Sequence, residues 1–149
     1  MMQVQVGARY QGYAATMGRA LVFGKATEAR RKMIEMDLEA QRKLEKMIKP
    51  SVNAGDVCKC IDDLIKSYGC ERMILYGPIH GTGLMEGEAP WIESNSDFLL
   101  ESGLTFCYCL YLGDDENEVG IRIEDGFIVT EEGVESFSDY RREVIEIEC

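Results

Sequence analysis

The sequence is short of several features that would assign it to a simple class of protein. It has one histidine, three prolines and one tryptophan in 149 residues, and its longest strongly apolar stretch is residues 104–112. A stretch of that length is too short to cross a bilayer as a helix, which excludes a helical membrane protein. None of the six cysteines forms a C-x-x-C pair. We therefore expect a cytoplasmic chain whose cysteines are mostly reduced and buried.

Positive charge is scarce in the second part of the chain. Residues 86–149 carry 3 basic and 18 acidic side chains, whereas residues 1–85 carry 13 basic and 9 acidic ones. The formal net charge of -11 argues against sequence-independent nucleic-acid binding, which requires basic surface. The asymmetry is typical of a solvated acidic face, or of a surface complementary to a basic partner. With 46% apolar residues, the chain can form one packed domain over residues 1–149.

The periodicity of apolar residues predicts two helices between two groups of strands. Residues 27–48 carry one apolar stripe that ends before Pro50, and a second helix begins after Asn53 and ends at Gly69. Extended segments are predicted at residues 3–6, 13–23, 73–76, 104–112, 120–123, 127–130 and 142–148, with breaks at Gly7 and Gly12. Two helices packed on a mainly antiparallel sheet define an α+β fold.

Several short motifs follow one another in a fixed order. Glycines flank His80 in Ile79-His80-Gly81-Thr82-Gly83-Leu84, which lets a ligand approach the backbone closely. The segments Glu88-Ala89-Pro90, Gly103-Leu104-Thr105-Phe106 and Gly120-Ile121-Arg122-Ile123-Glu124-Asp125-Gly126 come after it. Their order and spacing resemble the second half of the catalytic domain of the pita-bread peptidases. That family includes aminopeptidase P, prolidase, methionine aminopeptidase and creatinase.

The N-terminal part of the chain carries the same resemblance. Residues 4–13 are similar to the family's V-D-x-G-x-x-Y-x-G-Y hairpin, and Arg19, Glu39-Ala40-Gln41 and Ile48-Lys49-Pro50 match further family segments. The resemblance implies a truncated pita-bread fold, with two helices on a curved, mainly antiparallel sheet. It comprises the last hairpin of the first half of the domain and the whole second half.

Such a fold leaves apolar faces that the rest of the family's domain would cover. A large apolar face is seldom left bare in water, so we expect a partner. The partner is either a second chain that supplies the missing half or a second copy that forms a homodimer.

The resemblance also implies a site for two divalent metal ions, from which this sequence departs. The family's two aspartates fall on Gln5 and Thr16, and its first glutamate falls on Cys109. His80 and Glu124 are the two ligands that are retained. Because two clustered cations need several anionic oxygens, and Gln and Thr are neutral, we expect no metal cofactor.

Two functions follow from this departure. The first is a degenerate peptidase-like protein that assembles with a partner or binds a peptide or small polar ligand through His80, Arg122 and Glu124. The second is a metal-free or partner-completed C–N hydrolase of peptidase or amidinohydrolase type. In it His80 is the acid or base, and Glu124 orients His80 or anchors the substrate. One observation argues against this second function. The position of a family histidine that contacts substrate is occupied here by Gly87, which has no side chain to handle a proton.

A third function is a redox or soft-metal site at Cys107, Cys109 and His80. The two cysteines are two residues apart on a predicted strand, so they share a face, and the resemblance points that face into the former metal site. Thiol reactivity would require a nearby positive charge that lowers the thiol pKa, for which Arg122 is the candidate.

Overall fold

The computed structural model of the protein describes residues 1–116 and 118–148, and its first element is a long β-hairpin. Strands β1 (Met2–Tyr10) and β2 (Tyr13–Phe23) are antiparallel, with Tyr10 opposite Tyr13. Gln11 and Gly12 between them both have positive φ, as a two-residue type I′ turn requires. The break predicted at Gly7 is wrong, because β1 continues through Gly7 and pairs it in register with Thr16.

Both predicted helices are confirmed. Helix α1 (Glu28–Met47) begins after Thr27, which accepts a hydrogen bond from the Arg30 N–H, and helix α2 (Ala54–Ser67) begins after Asn53, which caps the Gly55 N–H. The buried apolar side chains of α1 are those of Met33, Ile34, Met36, Leu38, Ala40 and Leu44. Neither helix of the described residues combines the length and the apolar character needed to cross a membrane.

Nine further strands in the described part of the chain join β1 and β2 to form two sheets, on which the helices pack. The further strands are β3 (Ile74–Tyr76), β4 (Ile79–Gly81), β5 (Glu88–Ile92), β6 (Thr105–Tyr108), β7 (Tyr111–Asp114), β8 (Val119–Arg122), β9 (Glu124–Val129), β10 (Val134–Ser136) and β11 (Ile145–Ile147). The large sheet has the order β1-β2-β9-β6-β4-β5, with β10 beside β9 and β11 parallel to β2. Strands β3, β7 and β8 form the smaller sheet. The predicted mainly antiparallel architecture is therefore confirmed.

Residues 104–112 do not form the single strand that their apolar character predicts. The run divides into β6 in the large sheet and β7 in the small one. Tyr108 still pairs with Ile79 and Asp125, whereas the Cys109 N–H donates to the Pro78 carbonyl at 2.8 Å. Residues 106–110, where the run passes from one sheet to the other, are all buried. The alternation of apolar and polar residues therefore gives no sign of this change.

A buried ionic cluster joins β2, α1, β9 and the segment after β10. The carboxylate of Asp125 accepts hydrogen bonds from Arg19 at 3.0 Å, from Gln41 at 2.7 Å and from Ser138 at 2.7 Å. The Nε of Arg142 lies 3.0 Å from the same carboxylate. Because Asp125 precedes Gly126 and follows Glu124 on β9, this cluster holds the strand that carries the candidate site.

Candidate functional site

The structure brings together the five positions that the resemblance assigns to metal ligands. They are Gln5 on β1, Thr16 on β2, His80 on β4, Cys109 after β6 and Glu124 on β9. The Gln5 amide donates a hydrogen bond to the Glu124 carboxylate, and the Thr16 hydroxyl lies 3.6 Å from the Cys107 sulfur. These positions converge because β2, β9, β6 and β4 are successive neighbours in the large sheet.

Glu124 is fully buried; one of its carboxylate oxygens has partners within the protein, whereas the other, Oε1, has no hydrogen-bond partner among the described residues. Its Oε2 accepts the hydrogen bond from Gln5 and lies 3.1 Å from the Nε of Arg122. The contact with Arg122 is an ion pair without hydrogen-bond alignment. A Cβ at Gly18, which is opposite Glu124, would come within 2.9 Å of the Glu124 Cβ. Glycine is therefore required at position 18 for this close packing.

The ring of His80 is buried and held in one orientation. Its Nδ1 lies 2.8 Å from the carbonyl oxygen of Gly81, its Nε2 lies 3.8 Å from a carboxylate oxygen of Glu86, and it packs against Trp91. Burial lowers the pKa of His80, but contacts with Cys109, Gly81 and Glu86 raise it more, to about 9. At neutral pH the ring is therefore an imidazolium.

Cys107 and Cys109 lie side by side next to His80. Contacts with Cys107 and then with His80 lower the pKa of Cys109 to about 6, although burial opposes this change. The contact with Cys109 and burial raise the pKa of Cys107. The sequence pointed to Arg122 as the nearby cation; the structure gives that role to His80, since Arg122 is paired with Glu124. One thiolate thus faces one imidazolium.

The loop between β4 and β5 contributes an acidic residue that the sequence did not single out. A carboxylate oxygen of Glu86, a ring nitrogen of His80 and the sulfur of Cys107 all lie within 4.8 Å of one another. Acidic residues are common in exposed loops, so only the six-residue spacing from His80 could have drawn attention to Glu86. Gly87 follows directly, and a Cβ there would lie 3.7 Å from the His80 ring and 3.5 Å from Trp91.

The contacts of the two retained family residues are separate. Among the described residues, the polar contacts of His80 are with Gly81, Glu86 and Cys109, whereas those of the Glu124 carboxylate are with Gln5 and Arg122. A hydrolase in which Glu124 orients His80 therefore has no supporting contact in this arrangement.

An apolar cavity of about 350 Å³ lies near the turn of the β1–β2 hairpin. Its lining includes Tyr10, Tyr13, Ala14, Ala15, Thr105 and Phe137. Side chains two residues apart on a strand share a face, so Ala14 lies on the face of Thr16, and Thr105 lies on the face of Cys107. A larger cavity of about 640 Å³ lies at the start of α1 and touches none of the site residues. The lining of the smaller cavity contains none of the site residues either, but it includes Thr82 and Thr105, which are two residues from His80 and Cys107.

The donor set does not fit a two-metal centre. Gln5 and Thr16 offer neutral oxygens, Cys109 offers sulfur, and one of the two Glu124 oxygens already faces Gln5 and Arg122. Two hard divalent cations require several carboxylate oxygens that are free to coordinate them. These side chains therefore do not provide a site for hydrolysis by a pair of metal ions.

Solved structures show the same fold over nearly the whole chain. The dipeptidase PepE from Mycobacterium ulcerans superimposes on 99% of the chain with a TM-score of 0.92 and 25% identity, and a dipeptidase from Pyrococcus horikoshii on 97% with 0.91 and 27%. The chain covers 40% of each of these two. The fold is that of the pita-bread peptidases. The model of metallopeptidase family M24 matches residues 1–131. The chain belongs to metallopeptidase family M24.

Relatives in this family are Xaa-Pro dipeptidases. The one from Pyrococcus furiosus is 29% identical over 150 aligned residues, which comprise 97% of this chain and 41% of the relative. The one from Lactobacillus helveticus is 29% identical over 135 residues, which comprise 89% of this chain and 36% of the relative. The chain therefore spans about two fifths of the length of the relatives that it matches.

Proposed function

We propose that this chain is a cytoplasmic binding and assembly subunit that keeps the peptidase fold without two-metal hydrolysis. The observation that carries the proposal is the pairing of the buried Glu124 with Arg122 and Gln5. In this arrangement the positive charge beside Glu124 comes from a guanidinium, which cannot activate a water molecule as a bound metal ion does. The neutral side chains at positions 5 and 16 support the same function.

The ligand that best fits the site is a short peptide with one apolar residue. The cavity beside Ala14 and Ala15 is lined mostly by apolar atoms, and its lining includes Thr82 and Thr105, two residues from His80 and Cys107. The partly exposed Arg122 and the imidazolium of His80 supply positive charge for a peptide carboxylate. The similarity to Xaa-Pro dipeptidases supports a peptide of the Xaa-Pro kind.

The protein is expected to bind an Xaa-Pro dipeptide without cleaving it, with or without added Mn²⁺ or Co²⁺. Binding is measured by calorimetry, and cleavage is measured by chromatography of the products. Ala15→Phe should weaken binding at least about tenfold, or 1.4 kcal/mol, because it fills the cavity. Ala29→Phe, at the larger cavity, is the matched control and should leave the affinity unchanged. Metal-dependent cleavage that disappears in Glu124→Gln would establish a hydrolase instead.

The surface that we propose for assembly is the free edge of the large sheet. Among the described strands, β1 pairs only with β2, so the other edge of this nine-residue strand presents unpaired backbone groups. Val6 and Tyr10 on this strand are 52% and 78% exposed. A long apolar edge strand is a template for the addition of another strand. We propose that β1 pairs with a second polypeptide, which is either another copy or a chain that supplies the preceding half of the domain.

The native assembly is expected to contain more than one polypeptide. Native mass spectrometry of the protein from its source, with every co-purifying chain counted, distinguishes a homodimer from a complex with a second chain. Val6→Lys should weaken assembly at least about tenfold by placing a charge on the edge strand, whereas Leu99→Lys, a control at a similarly exposed apolar residue, should not. A wild-type mass of one 16.8 kDa chain at all concentrations would contradict the proposal.

A further inference from the structure

Two thiols, one imidazole and one carboxylate converge in the candidate site. The donor atoms of His80, Glu86 and Cys107 lie within 4.8 Å of one another. Cys109 contacts both Cys107 and His80. Sulfur, nitrogen and oxygen donors from three separate parts of the chain therefore share one small region.

The orientation of His80 suits a metal ligand. Because its Nδ1 lies 2.8 Å from the Gly81 carbonyl oxygen, Nδ1 carries a proton and donates it there. The Nε2 is left facing the Glu86 side. A histidine that binds a metal ion through one ring nitrogen usually anchors the other on a carbonyl or carboxylate in this way.

Of the four donor side chains, that of Glu86 is the exposed one. Cys107 and Cys109 are 0% and 1% exposed and His80 is 4% exposed, whereas the Glu86 side chain is 51% exposed. Gly87 has no side chain to cover the His80 ring on that side. An ion can therefore enter past Glu86 and reach the buried sulfur atoms.

We propose that Cys107, Cys109 and His80 bind one thiophilic metal ion of the Zn²⁺ and Cd²⁺ class, with Glu86 as the fourth ligand. Two sulfurs, one imidazole nitrogen and one carboxylate oxygen form a tetrahedral donor set of the kind that zinc accepts. Binding releases to solvent the protons that the Cys107 thiol and the His80 Nε2 hold in the metal-free state. This site goes beyond the proposed binding of peptides and is tested separately from it, although both use His80, whose ring is neutral when it holds a metal ion.

The distances and the donor chemistry agree with this ion class. Zinc bonds of about 2.0–2.3 Å place the donor atoms of a tetrahedral site about 3.3–3.8 Å apart. The donor atoms of His80, Glu86 and Cys107, within 4.8 Å of one another, need to approach by only about 1 Å; the Cys109 sulfur, which lies outside this group, has to move closer as well. Thiolates favour soft ions over Mg²⁺, Ca²⁺ and Mn²⁺, which take oxygen ligands.

The test is a titration of the reduced, full-length chain with Cd²⁺. We expect an end point of one ion per chain, accompanied by the ultraviolet charge-transfer band of cadmium–thiolate bonds. Cys107→Ser and Cys109→Ser should each weaken binding by at least about 100-fold, because loss of an outer-sphere partner alone already costs 10–100-fold. The matched control is Cys60→Ser, at a half-buried cysteine of α2, which should bind Cd²⁺ as the wild type does.

Three results would overturn the proposal. They are the absence of the charge-transfer band at one equivalent of Cd²⁺, its survival when both Cys107 and Cys109 are replaced, and its loss in Cys60→Ser. If the serine variants do not fold, cadmium NMR of the wild-type chain decides, since its chemical shift reports the number of sulfur ligands. A resonance typical of two sulfur ligands supports the site, and one typical of oxygen ligands alone rules it out. Peptide binding and native mass are measured separately, so the function proposed above can stand or fail independently.

Discussion

Replacing Asp125 by alanine is expected to lower the free energy of unfolding by about 3–5 kcal/mol, the cost of removing one partner of a buried ion pair. Asp125 is fully buried and is the shared acceptor of Arg19, Gln41 and Ser138. Without the carboxylate, the guanidinium of Arg19, which is 3% exposed, keeps only backbone carbonyls as acceptors. The buried positive charge of Arg19 then has no negatively charged partner in the described part of the chain.

Urea denaturation of the wild type and the variant measures this loss. Glu131→Ala, at an exposed residue after β9, is the control and should change the free energy of unfolding by less than about 0.5 kcal/mol. A loss below about 1 kcal/mol would show that the cluster does not hold β2, α1 and β9 together.

Replacing Asp37 by asparagine is expected to stabilise the protein by an amount on the order of 4 kcal/mol at pH 7. Asp37 is fully buried in α1, and burial raises the pKa of its carboxyl from 3.8 to about 8, against the hydrogen bonds from Tyr108 and Ile123. The Tyr108 hydroxyl lies 2.6 Å from the carboxyl oxygen and 3.2 Å from the Asp37 carbonyl. Tyr108 can therefore donate to that carbonyl and accept a hydrogen bond from a neutral side chain at position 37, which asparagine provides without ionising.

The sign of the pH dependence follows from the raised pKa. The folded state binds one more proton than the unfolded state between pH 4 and pH 8, so wild-type stability falls as the pH rises through that range. In Asp37→Asn this fall should be absent, and at pH 4 the two proteins should be about equally stable. Thermal or urea unfolding between pH 4 and pH 8 measures both slopes.

Two further variants distinguish the effect of burial from other effects. Asp63→Asn, at an exposed position of α2, removes a charge without changing a buried group and should leave the slope as in the wild type. Tyr108→Phe should be less stable than the wild type but keep the slope, because Asp37 remains buried. Equal slopes in the wild type and Asp37→Asn would contradict the assigned cause.

The parts of the fold that were predictable depend on neighbours in the sequence. The helix starts were correct because Thr27 and Asn53 cap N–H groups only two or three residues away. The break at Gly7 was wrong because the conformation of that glycine is decided by its partner Thr16 across the hairpin. The division of residues 104–112 was missed because residues 106–110, where the run divides, are all buried, which removes the alternation that would mark it.

Some residues of the candidate site could likewise be predicted from the sequence, and others could not. His80, Glu124, Cys107 and Cys109 could be named from motif order and spacing. Glu86 could not, because its role depends on a loop that folds back onto His80. The cation beside Cys109 was predicted to be Arg122, whereas the structure pairs Arg122 with Glu124 and places His80 beside the thiol, which only positions in space could show.

By itself, the sequence determined the family, the α+β fold and the loss of carboxylates at positions 5, 16 and 109, because these are properties of side-chain identity and order. Only the tertiary structure decided what replaces the lost chemistry. Gln5 and Glu124 are 119 residues apart, and their hydrogen bond exists because the sheet places β1, β2 and β9 side by side. The charge at each position of the site is therefore set by neighbours in the sheet, which no local pattern in the chain specifies.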